Sequence, residues 1–209
     1  MSRSSPTRAV AAWALIGLAG FLLLPWYAQQ EGVFAFDGIK GLWSQADSAG
    51  GLALVVTHGR WWLSPLLPLL LAGLAVGFLG GARRRRGNLL VLIAGTGLAV
   101  FWLQALSIGL RGWSAEWLSL LLGEINGRQL GIGLGATLVL LSLLGLLSLG
   151  LAQRGAFGGD SFVAGAMVTV VASIVLFTAW PVLRILLQAF NASDGAFAPA
   201  LLLERLATA

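Results

Sequence analysis

The sequence predicts an all-α fold, a polytopic membrane bundle of about five transmembrane helices. Of the 209 residues, 58% are hydrophobic and only 10% are charged, whereas soluble domains carry about 25% charged residues. Five apolar runs contain 18 or more uncharged residues, the length that a helix needs to cross about 30 Å of hydrocarbon. The alternating segments of a membrane barrel do not appear in the sequence. Helices therefore remain as the spanning elements.

Five apolar segments are long enough to cross the membrane, and we expect these spans to have an N-in, C-out arrangement. The first segment has a basic N-terminal end followed by an apolar core, and a secretory signal peptide has the same layout. Pro25, Trp26 and Tyr27 follow it instead of a small-x-small cleavage site, and Trp and Tyr are typical of the membrane interface. We therefore expect an uncleaved first span. The predicted spans are 9–27, 61–81, 88–110, 130–152 and 162–189.

The basic residues predict the orientation of these spans. Lys and Arg accumulate in short cytoplasmic loops, and the segments 1–8, 82–87 and 153–161 hold seven basic residues. The longer segments on the other side hold five basic residues against seven acidic ones. This asymmetry predicts a cytoplasmic N-terminus and an outer C-terminal tail. Its main contributor is a block of four arginines in one predicted loop, Arg83, Arg84, Arg85 and Arg86.

Glycines at four-residue spacing predict where helices pack closely. Gly73, Gly77 and Gly81 lie in the second span, and Gly131 and Gly135 lie in the fourth. Small residues with this spacing allow two helix backbones to approach each other in lipid. We interpret these glycines as packing positions.

Two outer segments have the spacing of short amphipathic helices on the membrane surface. In 37–47, Ile39, Leu42 and Trp43 have i, i+3, i+4 spacing, and an irregular loop explains that pattern equally well because the segment holds two glycines. In 114–127, Ser114 is a predicted N-cap, and Asn126 with Gly127 is a predicted terminator. We expect a surface helix in the second segment and leave both alternatives open in the first.

The composition predicts no catalytic site, cofactor or metal site. There is no cysteine and only one histidine, His58, whereas a zinc site needs three or four ligands. The first four spans carry no charged residue between their ends, although ion and proton pathways usually need such groups at mid-depth. We also expect no nucleic-acid binding, because topology explains the arginine block and with it much of the net charge of +5.

The fifth span differs from the others near its outer end. Pro181 removes a backbone donor and is expected to loosen or kink the helix. Arg184 follows one turn from the end, where it extends toward headgroups or points to a partner helix. The sequence leaves both positions of Arg184 open.

The last residues carry a resemblance to a known family. WPVLR from Trp180 to Arg184, then Ala189 and Phe190, then DGAF ending at Phe197 and a Leu-rich stretch with Glu204 resemble the first core helix and outer loop of binding-protein-dependent ABC importer permeases, particularly the ferric-iron type. The resemblance covers roughly the last 30 to 50 residues. Ala189 stands where a serine is frequent in that family.

The resemblance implies a division of the chain and a set of partners. Residues 1–153 would form an accessory four-helix membrane region, and residues 154–209 would form the first permease-core helix with a periplasmic tail. A separate ATP-binding subunit and a periplasmic substrate-binding protein would complete the transporter in a bacterial inner membrane, with ferric iron or a similar small solute as substrate. The family's cytoplasmic Glu-Ala-Ala loop is missing from these residues, so we expect the N-terminal part of a permease that is not itself an enzyme. The alternative is a small structural or assembly membrane protein that scaffolds a partner.

Overall fold

The fold is a bundle of apolar helices arranged around one central helix. The computed structural model describes residues 6–28, 48–79, 81–109, 112–113, 118–120 and 131–189. In chain order these hold the elements α1 (Pro6–Leu23), α2 (Gly51–Thr57), a 3₁₀ turn (Trp61–Leu63), α3 (Leu66–Phe78), α4 (Arg83–Ser107), β1 (Ile108–Gly109), β2 (Gly112–Trp113), α5 (Leu134–Gln153), a 3₁₀ turn (Ala156–Gly159), α6 (Ser161–Ile174), a π-helical turn (Val175–Ala179) and α7 (Trp180–Ala189).

The all-α membrane fold class is confirmed. Four helical stretches are long and apolar enough to cross a membrane, namely Trp61–Phe78, Arg83–Ala105, Leu134–Gln153 and Ser161–Leu183. The predicted first span is a shorter helix, because α1 ends at Leu23. The residue before a proline avoids the helical region, and beyond Leu24 the chain runs extended, with Pro25 pairing with Gly50 and Tyr27 with Ile132.

Helix α5 lies at the centre of the bundle and contacts α1, α4 and α6. Its neighbours α1 and α4 each pack against α3 as well. Successive long helices run in opposite directions, so the start of α4 lies beside the end of α5. We call this end of the bundle, which carries Arg83, the arginine end, and we call the opposite end, which carries Tyr27, the aromatic end.

Two groups of buried side chains form the core. The group nearer the aromatic end contains Phe21, Leu54, Leu70 and Leu143. The group nearer the arginine end contains Val10, Val76, Leu90, Ile93 and Leu146. The short helix α2 contributes to the first group, so the segment before α3 folds back onto the bundle.

The arginine block was predicted to be a loop, and that prediction is wrong. All four arginines form the first turn of α4, which begins at Arg83. Arginine is a good helix former, so the block extends the apolar helix by more than a turn. The predicted surface segment 37–47 lies outside the described residues. Of the segment 114–127, only 118–120 is described, as helix.

The orientation across the membrane is testable at two exposed positions. Thr57 lies at the end of α2 and Arg85 in the first turn of α4, and both are exposed. The chain has no native cysteine, so Thr57→Cys and Arg85→Cys each carry a single thiol. With the N-terminus inside, we expect an impermeant thiol reagent to label only Thr57→Cys in intact cells. Permeabilised cells, in which both thiols should react, provide the control, and the reverse labelling pattern in intact cells would refute the orientation.

Candidate functional site

The arginine end brings α4, α5 and the start of α6 together. Arg83 donates from Nη2 to the carbonyl oxygens of Ala152 at 3.4 Å and of Gly159 at 3.2 Å. These carbonyls belong to the end of α5, which carries the negative end of the helix dipole, and to the following turn. Arg83 therefore ties α4 to the turn before α6. Arg84 and Arg85 are exposed.

The fourth arginine points into the bundle. Arg86 is half-buried, and its Nε and Nη2 atoms are buried with no hydrogen-bond partner. Gln153, the last residue of α5, is 7% exposed, and both polar atoms of its side chain are likewise buried and unpartnered. The sequence singled out Arg86 only as part of a charged block, and it did not single out Gln153.

The turn between α5 and α6 has an unusual backbone. Gly155, Phe157, Gly158 and Gly159 all have positive φ, and for Phe157 this left-handed conformation is unfavourable. Asp160 then caps α6, accepting hydrogen bonds from the backbone N–H groups of Phe162 at 2.7 Å and Val163 at 3.3 Å. The division that we predicted after residue 153 coincides in position with the end of α5.

At the aromatic end, a buried arginine meets the only tyrosine of the chain. Arg60 is 9% exposed and donates from Nη1 to the Tyr27 hydroxyl at 2.7 Å. Its guanidinium carbon also lies 4.7 Å from the centre of the Tyr27 ring. Burial raises the pKa of Tyr27 above 10.0, while the charge of Arg60 and its hydrogen bond oppose that rise.

Further aromatic rings pack against one another at the aromatic end. Trp26 packs against Phe21 and Phe101, with ring centres 5.6 Å apart in both cases. Trp62 packs against Trp113 at 5.3 Å, and its carbonyl accepts a hydrogen bond from Gln104 Nε2 at 3.0 Å. Gln104 therefore fastens the end of α4 to the turn before α3. These contacts close the aromatic end of the bundle.

Three of the five glycines that we interpreted as packing positions lie at close helix contacts. A Cβ atom on Gly73 would lie 3.1 Å from the side chain of Leu146, and one on Gly77 would lie 3.4 Å from the backbone nitrogen of Ala11. One on Gly135 would lie 2.6 Å from the carbonyl oxygens of both Gly20 and Leu24.

Gly131 was predicted to be a packing glycine in the fourth span, and that prediction is wrong. It precedes α5, which begins at Leu134, and a Cβ atom at Gly131 would meet nothing within 4 Å. Its role is in the backbone, because its carbonyl accepts a hydrogen bond from Ala28 N at 2.8 Å. Gly81 likewise follows the end of α3 and faces open space.

Close contacts with backbone atoms also occur at glycines that the sequence pattern did not indicate. A Cβ atom on Gly87 would lie 2.8 Å from the carbonyl oxygen of Gly150, and one on Gly150 would lie 3.0 Å from the backbone nitrogen of Val91. A Cβ atom on Gly20 would likewise lie 2.8 Å from the carbonyl oxygen of Gly135. Neither Gly87 nor Gly150 belongs to a four-residue repeat on one helix, so only knowledge of which helices are neighbours could have found them.

The final helical stretch is almost unburied within the chain. In Ser161–Leu183, 6% of the apolar window is buried, compared with 44% in α5. Ala164 and Val168 contact the bundle near its start, and Trp102 meets Trp180 at 4.9 Å near its other end. The hydroxyls of Thr169 and Ser173 donate to backbone carbonyls of their own helix, so the exposed face presents no unsatisfied hydroxyl at those two positions.

Pro181 lies directly after a π-helical turn. The turn covers Val175–Ala179, and helix α7 continues through Pro181 and Arg184. A proline lacks the N–H that would bond one turn back, and a π-helical turn is one way in which a helix accommodates such a defect. The loosening predicted at Pro181 therefore takes this form. The direction of the Arg184 side chain stays a prediction.

The arrangement offers packing, charge and an exposed apolar surface. The described part of the chain contains no group of three or more His, Cys, Asp or Glu side chains that could hold a metal ion. No family model, curated protein or solved structure matches this chain.

Proposed function

We propose that this chain is the membrane-spanning part of a binding-protein-dependent ABC importer permease in a bacterial inner membrane. In this proposal α1, α3, α4 and α5 form an accessory bundle, and the stretch Ser161–Ala189 is the first helix of the permease core. Transport of ferric iron or a similar small solute follows from the resemblance of the last residues alone.

The observation that carries the proposal is the lack of neighbours around the final helix. Every other long helix contributes to one of the two buried core groups, whereas the final stretch has Phe162 82% exposed and Phe177 75% exposed. A first core helix separated from the remaining core helices would have this surface. The π-helical turn lies directly before the motif that carries the resemblance. The motif is helical from Trp180 to Ala189, and its part from residue 190 onward lies outside the described residues.

The proposal includes partners that this chain does not contain. The sequence has no G-x-x-x-x-G-K-S/T phosphate loop, so a separate subunit would hydrolyse ATP. A periplasmic binding protein would deliver the solute to the outer side. The arginine end would face the cytoplasm under the positive-inside rule.

A photo-crosslinking experiment tests whether the final helix contacts other proteins. We expect a photoreactive amino acid in place of Val170 to crosslink to another integral membrane protein in native membranes. Val170 is 54% exposed, and the matched control Leu92 on α4 is 66% exposed, so both positions face outward on spanning helices. The control should crosslink only to lipid.

The identity of the captured protein decides the outcome. A partner that carries a Glu-Ala-Ala loop and copurifies with an ATP-hydrolysing subunit supports the permease. Crosslinks to lipid alone from both positions would contradict it.

A second function, that of a structural or assembly protein, is favoured by a different observation. The close contacts of Gly20, Gly87, Gly135 and Gly150 are all made within the chain, so the three helices α1, α4 and α5 form a packed unit without a partner. Such a unit would scaffold another membrane protein through the final helix. Capture of a protein that lacks the Glu-Ala-Ala loop, with no ATP-hydrolysing subunit, would support this second function.

A further inference from the structure

The arginine end contains buried hydrogen-bond donors for which the described part of the chain offers no acceptor. Arg86 lies one helical turn from Leu90, a fully buried member of the core, so its side chain starts on the interior face of α4. The Nε and Nη2 atoms of Arg86 are buried without a partner. A guanidinium is charged at every physiological pH, and a buried charge is costly unless a counter-charge and hydrogen bonds compensate it.

Gln153, on the helix that packs against α4, supplies a second unsatisfied group. It follows Gly150 by three residues and Leu146 by seven, which places it on the face of α5 that packs against α4. A Cβ atom on Gly87 would lie 3.0 Å from the backbone nitrogen of Arg154. Arg86 and Gln153 are the chain neighbours of those two residues, so their side chains flank the same contact between α4 and α5.

The charge around this contact is entirely positive apart from one residue. Asp160 is the only acidic side chain in the described ranges, and it caps α6. Four arginines in the first turn of α4 repel one another and the positive end of the helix dipole. An anion at this position would therefore relieve the repulsion and accept the hydrogen bonds of Arg86.

The height of the site along the bundle indicates which anion is available. The arginines occupy the start of the apolar stretch Arg83–Ala105, which is the level of lipid headgroups when the helix crosses a bilayer. A phosphodiester accepts paired hydrogen bonds from a guanidinium, and basic pockets between membrane helices recognise anionic headgroups.

We propose that the arginine end binds the phosphate of an anionic phospholipid, held directly by Arg86 with the Gln153 amide beside it. Arg83 positions α4 against the end of α5, and the exposed Arg84 and Arg85 attract the headgroup without forming the site. This proposal is independent of the permease function, because it requires only that the helices cross a bilayer.

Lipid titration of the purified full chain tests the proposal. In neutral detergent, native mass spectrometry would count bound phosphatidylglycerol against phosphatidylcholine for the unaltered chain, for Arg86→Gln and for Arg85→Gln. The two variants remove the same charge from neighbouring positions, one buried and one exposed. We expect Arg86→Gln to lose about tenfold in phosphatidylglycerol affinity and Arg85→Gln to lose less than about twofold, because direct charge-assisted hydrogen bonds exceed long-range attraction.

Every other result overturns the proposal. Equal losses in the two variants, or no loss in either, would mean that the arginines attract lipid only by their summed charge. If saturating inorganic phosphate displaced the bound phosphatidylglycerol, the ligand would be a free anion and not a phospholipid. If Arg86→Gln does not fold, Gln153→Leu serves in its place, and unchanged preference for phosphatidylglycerol in that variant would refute the site.

Discussion

Replacement of Gly135 by valine is expected to destabilise the bundle more than any other single change discussed for this chain. A Cβ atom at Gly135 would lie 2.6 Å from the carbonyl oxygens of Gly20 and Leu24, and 2.9 Å from that of Pro25. All three are backbone atoms, so no side chain can rotate away. Overpacking costs about 1–3 kcal/mol where neighbours yield, and occasionally more. Here we expect at least about 3 kcal/mol, because α1 must separate from α5.

Gly95→Ala is the matched control for this substitution. Gly95 also lies inside a long helix, yet a Cβ atom there would meet nothing within 4 Å. Alanine restricts the unfolded chain and should stabilise the protein by about 0.4–1 kcal/mol. Thermal unfolding in detergent should therefore move in opposite directions for the two variants. A Gly135→Val protein as stable as the unaltered chain would show that α1 and α5 are not in backbone contact.

Removal of the Arg60 side chain is expected to have the second largest effect. In Arg60→Met, the Tyr27 hydroxyl loses its donor and the ring loses the cation above it. Hydrogen bonds to charged groups contribute about 1.5–3 kcal/mol, and partly desolvated cation–π contacts contribute about 1–2 kcal/mol. The two terms share one geometry and do not add fully, so we expect a loss of about 2–3 kcal/mol in the free energy of unfolding.

The ionisation of Tyr27 gives this variant a specific signature. Tyr27 is the only tyrosine, so the ultraviolet absorbance of tyrosinate reports on it alone. Burial raises the pKa of Tyr27 and Arg60 lowers it, so Arg60→Met should raise the pKa further. Arg85→Met, at the other end of the bundle, should leave the titration unchanged. A pKa that falls in Arg60→Met would refute the contact.

The direction of the shift also sets the pH range in which stability changes. The folded protein holds the phenol proton more tightly than the unfolded chain does, so this contribution is fully present below a pH of about 10. It is lost as the pH rises through the folded pKa. Tyr27→Phe should therefore remove part of the alkaline loss of stability.

The sequence was informative about the fold because crossing a bilayer requires long apolar runs. Length and composition predicted the long helices, while proline and arginine shifted their ends. Pro25 ended α1 at Leu23, earlier than the apolar run, and the helix-forming arginines started α4 at Arg83. The short helix α2 and the hairpin of β1 and β2 carry no periodic signal, and they form because the outer segments fold back on the bundle.

The candidate sites depend on which helices become neighbours, and a single sequence does not contain that information. Gly135 was identified from its spacing, whereas Gly87 and Gly150 became a pair only when α4 and α5 packed together. Tyr27 and Arg60 are far apart in the chain. The available hint was Arg60 itself, a lone basic residue placed on the predicted outer side directly before an apolar span.

The short first helix has a consequence for the surrounding bilayer. Helix α1 has 18 residues and α4 has 25, which correspond to lengths of about 27 Å and about 38 Å. Two helices of one bundle that differ this much cannot both match one hydrocarbon thickness, so the longer helix must tilt or extend its arginine turn into the headgroup region. We therefore expect the bilayer to thin locally beside α1.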